Sequence, residues 1–106
     1  MSDAERYEEP VVDEVEIEEY GKRNEKPPHA RSYVIRVDKV KFKVHTPHLT
    51  GREILTLAGK TPPEHFKLTQ KLHGGAAKTV GLDEPVDFTA RGVERFMTLP
   101  LDQTEG

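Results

Sequence analysis

Hydrophobic positions along the chain fall into short alternating runs, interrupted once by a helical spacing. Tyr33, Ile35 and Val37 alternate with Arg36 and Asp38, and Val40, Phe42 and Val44 alternate with Lys41, Lys43 and His45. A period of two with one apolar and one wet face predicts an antiparallel strand pair packed on one side. The connection at Asp38-Lys39 is short enough for a tight hairpin, although the usual Asn-Gly or Asp-Gly signal is missing.

The spacing changes at Thr50-Gly-Arg-Glu-Ile-Leu-Thr-Leu-Ala-Gly59. Thr50 and Glu53 form a T-x-x-E capping box, in which each side chain satisfies a free backbone N–H at a helix start. Ile54, Leu57 and Ala58 then share a helical face, with Leu55 beside them. Gly59 ends the helix and Pro62-Pro63 forbid its return. So short a helix has to lie across a sheet to be stable.

Beyond it, 66–72 alternates again and predicts a third strand. Gly74-Gly75 reads as a turn, 78–82 as a weaker strand, and Val86-Asp87-Phe88 as the start of an irregular connection. Residues 95–99 form the last strand, closed by Pro100. The expected core is Ile35, Val37, Phe42, Val44, Ile54, Leu57, Ala58, Leu68 and Val80. Hairpin, helix and further strands make an α+β layout of the β-grasp kind. It has a mixed sheet of four to five strands with one helix packed across it. Residues 32–100 would form that domain, and 101–106 a flexible tail with nothing to pack against.

Charge divides the chain differently. Residues 1–26 hold ten acids against four bases, a net of −6, whereas 27–106 hold nine acids and twelve bases, a net of +3. The overall −3 thus hides an acidic arm on a mildly basic body. Residues 1–31 are expected to be a flexible arm, because so charged a segment buries too little to offset the entropy of ordering. One piece departs from this. Around Val15 and Ile17, apolar residues alternate with Glu14, Glu16 and Glu18, a strand period that would hold only against an open sheet edge. Val15 and Ile17 are therefore candidate docking residues, on the chain's own edge or a neighbour's, with the glutamates facing the body's lysines.

Chemistry-bearing groups are sparse. With no cysteine, the chain has no disulfide, thiolate ligand or cysteine nucleophile of its own. His45 and His48 are separated by Pro47 and lack a partner at zinc-ligand spacing, so neither a metal nor another cofactor is expected. No Ser-His-Asp grouping, nucleotide loop or carboxylate pair can be assembled, which argues against an enzyme. A mildly basic body with an acidic arm is a poor nucleic-acid binder. The absence of a long apolar run and of a basic-apolar leader predicts a cytoplasmic protein away from membranes.

Residues 33–100 resemble the bacterial multiubiquitin domain, a ubiquitin-like family. The resemblance is carried by Thr50-Gly51, Leu55, Leu57-Ala-Gly-Lys60, Gly74-Gly75, Val86-Asp-Phe-Thr89 and Gly92-Val-Glu-Arg-Phe96. The last block has no evident structural reason in the sequence alone. The resemblance implies a ubiquitin-like β-grasp modifier with an activating enzyme, a conjugating enzyme, a deubiquitinase-like peptidase and target proteins as partners, in a conjugation pathway suggested to serve antiviral defence. It implies that Gly106 is the residue activated, through a tail (Leu101, Asp102, Gln103, Thr104, Glu105) recognised by the activating enzyme or peptidase. A terminus without a Cβ lets backbone and adenylate approach closely. The single terminal glycine departs from a Gly-Gly ending. Two alternatives stay open: a β-grasp binding module that is never conjugated, and a sulfur carrier.

Overall fold

The computed structural model describes residues 11–101. Ten elements follow in order: β1 (Val12–Glu16), α1 (Ile17–Lys22), β2 (Ala30–Val37), β3 (Val40–Val44), β4 (His48–Thr50), α2 (Gly51–Leu57), β5 (Phe66–Leu72), β6 (Ala77–Val80), β7 (Pro85–Asp87) and β8 (Val93–Pro100). A short 3-10 turn, Pro63–His65, leads into β5.

The result is an α+β fold built on one mixed sheet. The hairpin forms as its alternation predicts, with Ile35 opposite Phe42 and Val37 opposite Val40. Asp38 takes the left-handed turn position at φ +56, a conformation that Asp tolerates better than most residues. Its carboxylate accepts the Thr98 backbone N–H at 2.9 Å and the Thr98 hydroxyl at 2.6 Å, pinning the hairpin tip to β8. Strand β8 runs parallel to β2, with Val37 opposite Phe96, and antiparallel to β5. Strand β6 completes that side. The strands therefore run β3-β2-β8-β5-β6 across the sheet, and β1 lies parallel to the first half of β2. The sheet has six strands where four to five were expected, because of that added strand.

Helix α2 begins at the predicted box: the Thr50 hydroxyl accepts from the Glu53 N–H at 3.2 Å, and Glu53 Oε1 accepts from the Thr50 N–H at 2.8 Å. Gly59 at φ +76 closes it. The face differs from expectation. Ile54 and Leu55 are fully buried, whereas Leu57 is 37% exposed. With so few turns, a rotation of one position decides which leucine enters the core.

Two further corrections concern the core. Val86 and Phe88 are buried, although their stretch reads as an irregular connection. Strand β7 pairs with β4, with Leu49 opposite Val86, and Phe88 enters between Tyr33 and Phe96 at centroid distances of 6.1 and 6.4 Å. The described part of the acidic arm is also structured, taking the docked alternative and not the flexible one. Val15 and Ile17 are 2% and 1% exposed, inside the chain's own core. Glu16 pairs with Lys41, and Glu14 with Lys43 at 2.9 Å, so the glutamates do face the body's lysines.

Leu55→Ala should cost about 2–5 kcal/mol, the range for truncating a buried leucine. Leu57→Ala should cost less than about 1 kcal/mol, as expected of a side chain that is substantially exposed. Urea unfolding followed by circular dichroism measures both, and equal losses would contradict this helix face.

Candidate functional site

The described chain leaves the fold at the end of β8, and this exit is firmly built. Phe66 lies opposite Pro100, and the Leu101 N–H donates to the His65 carbonyl at 2.8 Å. Three residues earlier, Thr98 is held by Asp38. Lys60, just beyond α2, reaches that same carboxylate at 4.0 Å and lies 5.9 Å over the Phe66 ring. Hairpin tip, helix end and last strand thus converge at the end of β8. Leu99 and Leu101 are 60% and 42% exposed beside it. Of the expected tail residues, Leu101 is described; Asp102, Gln103, Thr104, Glu105 and Gly106 lie outside the described residues.

The block 92–96 acquires a structural reason. Gly92 sits at φ +90 and its carbonyl accepts from the His73 N–H at 2.8 Å, turning the chain into β8. Val93 and Phe96 are buried. Glu94 is buried as well and lies 3.5 Å from Lys71, while Arg95 points to Glu18 of α1. In the neighbouring block, Asp87 Oδ1 accepts from both the backbone N–H and the hydroxyl of Thr89, at 2.8 and 2.7 Å, locking the turn that delivers Phe88 to the core. The Thr89 hydroxyl holds the Asp87 carboxyl below its ordinary range. The Thr89 backbone N–H, Lys26 and His48 act in the same sense, against a partial desolvation.

An open cleft of about 400 Å³ lies beside that turn, lined by His29, Pro47, His48, Pro85, Asp87 and Thr89. The Lys26 ammonium donates to the Thr89 carbonyl at 2.9 Å and ties the end of the arm to the same loop. Among the described residues, no three His, Cys, Asp or Glu side chains are grouped to hold a metal ion. Within them, no helix is long and apolar enough to cross a membrane.

Glu18 was expected only as one of the glutamates facing the body's lysines, and its burial beside two arginines was not foreseen. The residue is 3% exposed, with Arg36 Nε of β2 at 3.0 Å, Lys22 at 3.8 Å and Arg95 of β8 at 3.9 Å from its carboxylate. The Arg36 Nε–H makes no hydrogen bond, so that contact is Coulombic. Helix α1 packs against both strands, and a Cβ on Gly21 would lie 2.3 Å from the Val93 carbonyl oxygen. The signal available beforehand was the acidic alternation, which stops at Glu18.

Removing Glu18 leaves clustered cations without their counter-charge. Glu18→Ala should cost about 3 kcal/mol, the low end for breaking a buried pair, since Arg36 and Arg95 keep about a third of their side chains in water. Chemical denaturation tests this, and a cost near zero would demote the cluster. The lowered Asp87 value gives a pH dependence. Its contribution is fully present above the unfolded carboxylate value of about 3.9 and is lost as pH falls through the lower folded value. Asp87→Asn should therefore lower Tm at pH 6, with the gap from wild type narrowing as pH is taken below about 3.9 in thermal melts.

Comparison with known proteins adds one finding. The multiubiquitin family model matches residues 33–100, from β2 to the last residue of β8. No curated protein and no solved structure gave a match.

Proposed function

This chain belongs to the multiubiquitin family, and from that premise we propose that it is a ubiquitin-like protein modifier with a β-grasp fold. It is not an enzyme in this reading but the substrate of an ATP-dependent conjugation pathway. The observation that carries the reading is the coincidence of family match and exit. The matched segment ends at Pro100, where the strand between β2 and β5 hands the chain to the tail.

The chemistry proposed for the tail is acyl activation. The carboxylate of Gly106 attacks the α-phosphate of ATP on an activating enzyme, forming an acyl-adenylate and releasing pyrophosphate. A conjugating enzyme then takes the acyl group as an ester or thioester with loss of AMP, and an amine of a target protein displaces that carrier. Leu101 to Glu105 form the segment that enzyme and peptidase read. The Leu101–His65 and Thr98–Asp38 bonds support this division of labour, because they keep the body rigid up to the point of departure. A cytoplasmic site of action and a part in antiviral defence belong to the same proposal.

The test is to express the chain with an N-terminal tag beside its activating and conjugating enzymes and probe denaturing gels for covalent adducts. Gly106→Val should reduce adducts roughly 100-fold, as expected when a reacting centre is crowded out of position. Circular dichroism should remain unchanged, because the core lies elsewhere. Equal adducts from wild type, Gly106→Val and a Gly106 deletion would refute activation at this residue. No adducts from any of the three would favour the binding-module alternative. A mass shift of about +16 with no protein adducts would instead identify a thiocarboxylate and the sulfur-carrier alternative, the other fate of an activated carboxylate.

A further inference from the structure

Strand β3 is an edge of the sheet. Its one strand partner among the described residues is β2. At the hairpin tip the Asp38 N–H donates to the Phe96 carbonyl of β8 at 2.8 Å, away from β3. Backbone groups alternate sides along a strand, so Tyr33, Ile35 and Val37 turn theirs towards Val44, Phe42 and Val40. The N–H and C=O of Lys41 and Lys43 therefore face outward, with no strand to receive them. Lysine side chains ordinarily guard such an edge against another chain. Here both lean the other way. Lys43 Nζ reaches Glu14 of β1 at 2.9 Å, and Lys41 Nζ reaches Glu16, each across the width of β2. On the core face of the same strand, Val40 is 54% exposed and Phe42 is half-buried.

We propose that β3 pairs with β3 of a second copy of the chain, antiparallel about a two-fold axis at Phe42. Val40-Lys-Phe-Lys-Val44 is a palindrome, and its centre coincides with the phase of the open edge. Antiparallel pairing centred on Phe42 sets Lys41 opposite Lys43 of the second copy. These are the residues whose backbone groups face outward, so each such pair exchanges both N–H···O=C bonds. Phe42 then meets its own counterpart at a non-hydrogen-bonded position, where side chains approach most closely, and Val40 meets Val44. Displacing the register by one residue would set outward backbone groups opposite inward ones. Opposed lysines repel when bare. In this chain each brings its own glutamate, so Glu14 and Glu16 neutralise the charges that would hold two copies apart. Isologous pairing closes at the dimer and continues one sheet into the next. One short strand per chain is a small interface, so the association is weak and belongs to high concentration. It does not involve Gly106 and stands apart from conjugation.

The test measures sedimentation equilibrium and residue-resolved amide exchange on the full chain at about 20 μM and about 1 mM, concentrations that bracket a weak dimer. The mean mass should rise from 12.0 kDa towards twice that value. The Lys41 and Lys43 amides should exchange about threefold more slowly at the higher concentration, as expected when about two-thirds of the chains are paired. The Val40, Phe42 and Val44 amides, already bonded to β2, should not change, nor should those of β6 on the opposite edge. Lys43→Pro deletes an outward donor and leaves the ladder to β2 whole, since an edge strand tolerates proline where the N–H faces out. It should weaken association at least about tenfold, because the two-fold removes the bond twice. Lys43→Ala loses the same charge but keeps the N–H, and should keep the dimer. Glu14→Gln with Glu16→Gln should weaken association about threefold by unmasking the lysines. A mass of 12.0 kDa at both concentrations would overturn the proposal. So would a dimer in which β6 amides, and not those of Lys41 and Lys43, gain protection; this pattern in the unaltered chain decides the matter even where proline disturbs the strand. Association unmoved by the paired glutamine substitutions would overturn the shielding role of Glu14 and Glu16.

Discussion

One constraint organises the rest of the molecule: a single seven-residue helix has to cover the inner face of a broad sheet. Helix α2 contributes only Ile54, Leu55 and Gly51 to the interior. The uncovered area is filled from elsewhere. Phe88 enters from a loop and meets Tyr33 of β2 and Phe96 of β8, joining the two parallel strands through one ring. The short β4–β7 ladder and the Asp87–Thr89 bonds place that ring. Gly51 then has to remain small because the loop after β6 passes within 2.3 Å of where its Cβ would be. Burial of apolar area drives all of this, and the polar contacts determine which loop supplies it.

The same shortage of cover explains the arm. Strands β2 and β8 register at Val37 and Phe96, and α1 packs against both where they are not paired. Val15 and Ile17 extend the core into that region, and Glu18 neutralises arginines from both strands. A buried carboxylate is a costly way to hold two strands together, but a specific one, since only the arm's register brings Glu18 between Arg36 and Arg95.

What was legible in the sequence was local. The hairpin, the third strand, the Gly74-Gly75 turn and the limits of α2 follow from periods and caps within a few residues, and the structure keeps them. The substitution of Leu55 for Leu57 in the core follows from a helix too short for periodicity to fix its rotation. Strands β4 and β7 have three residues each, too few for an alternating pattern to register. The docking of Val15 and Ile17 was visible as a period, but its strength comes from bases some twenty to eighty residues away. At the end of β8, the anchors Asp38, His65 and Lys60 were not legible. Each of those anchors acts through a contact distant in sequence.

The bond from Leu101 to His65 has a geometric consequence for the last strand. Together with the Asp38–Thr98 bonds it ties the end of β8 to the hairpin tip and to the turn that precedes β5. The direction of the chain at Leu101 is therefore set by the folded body and turns with it as one piece.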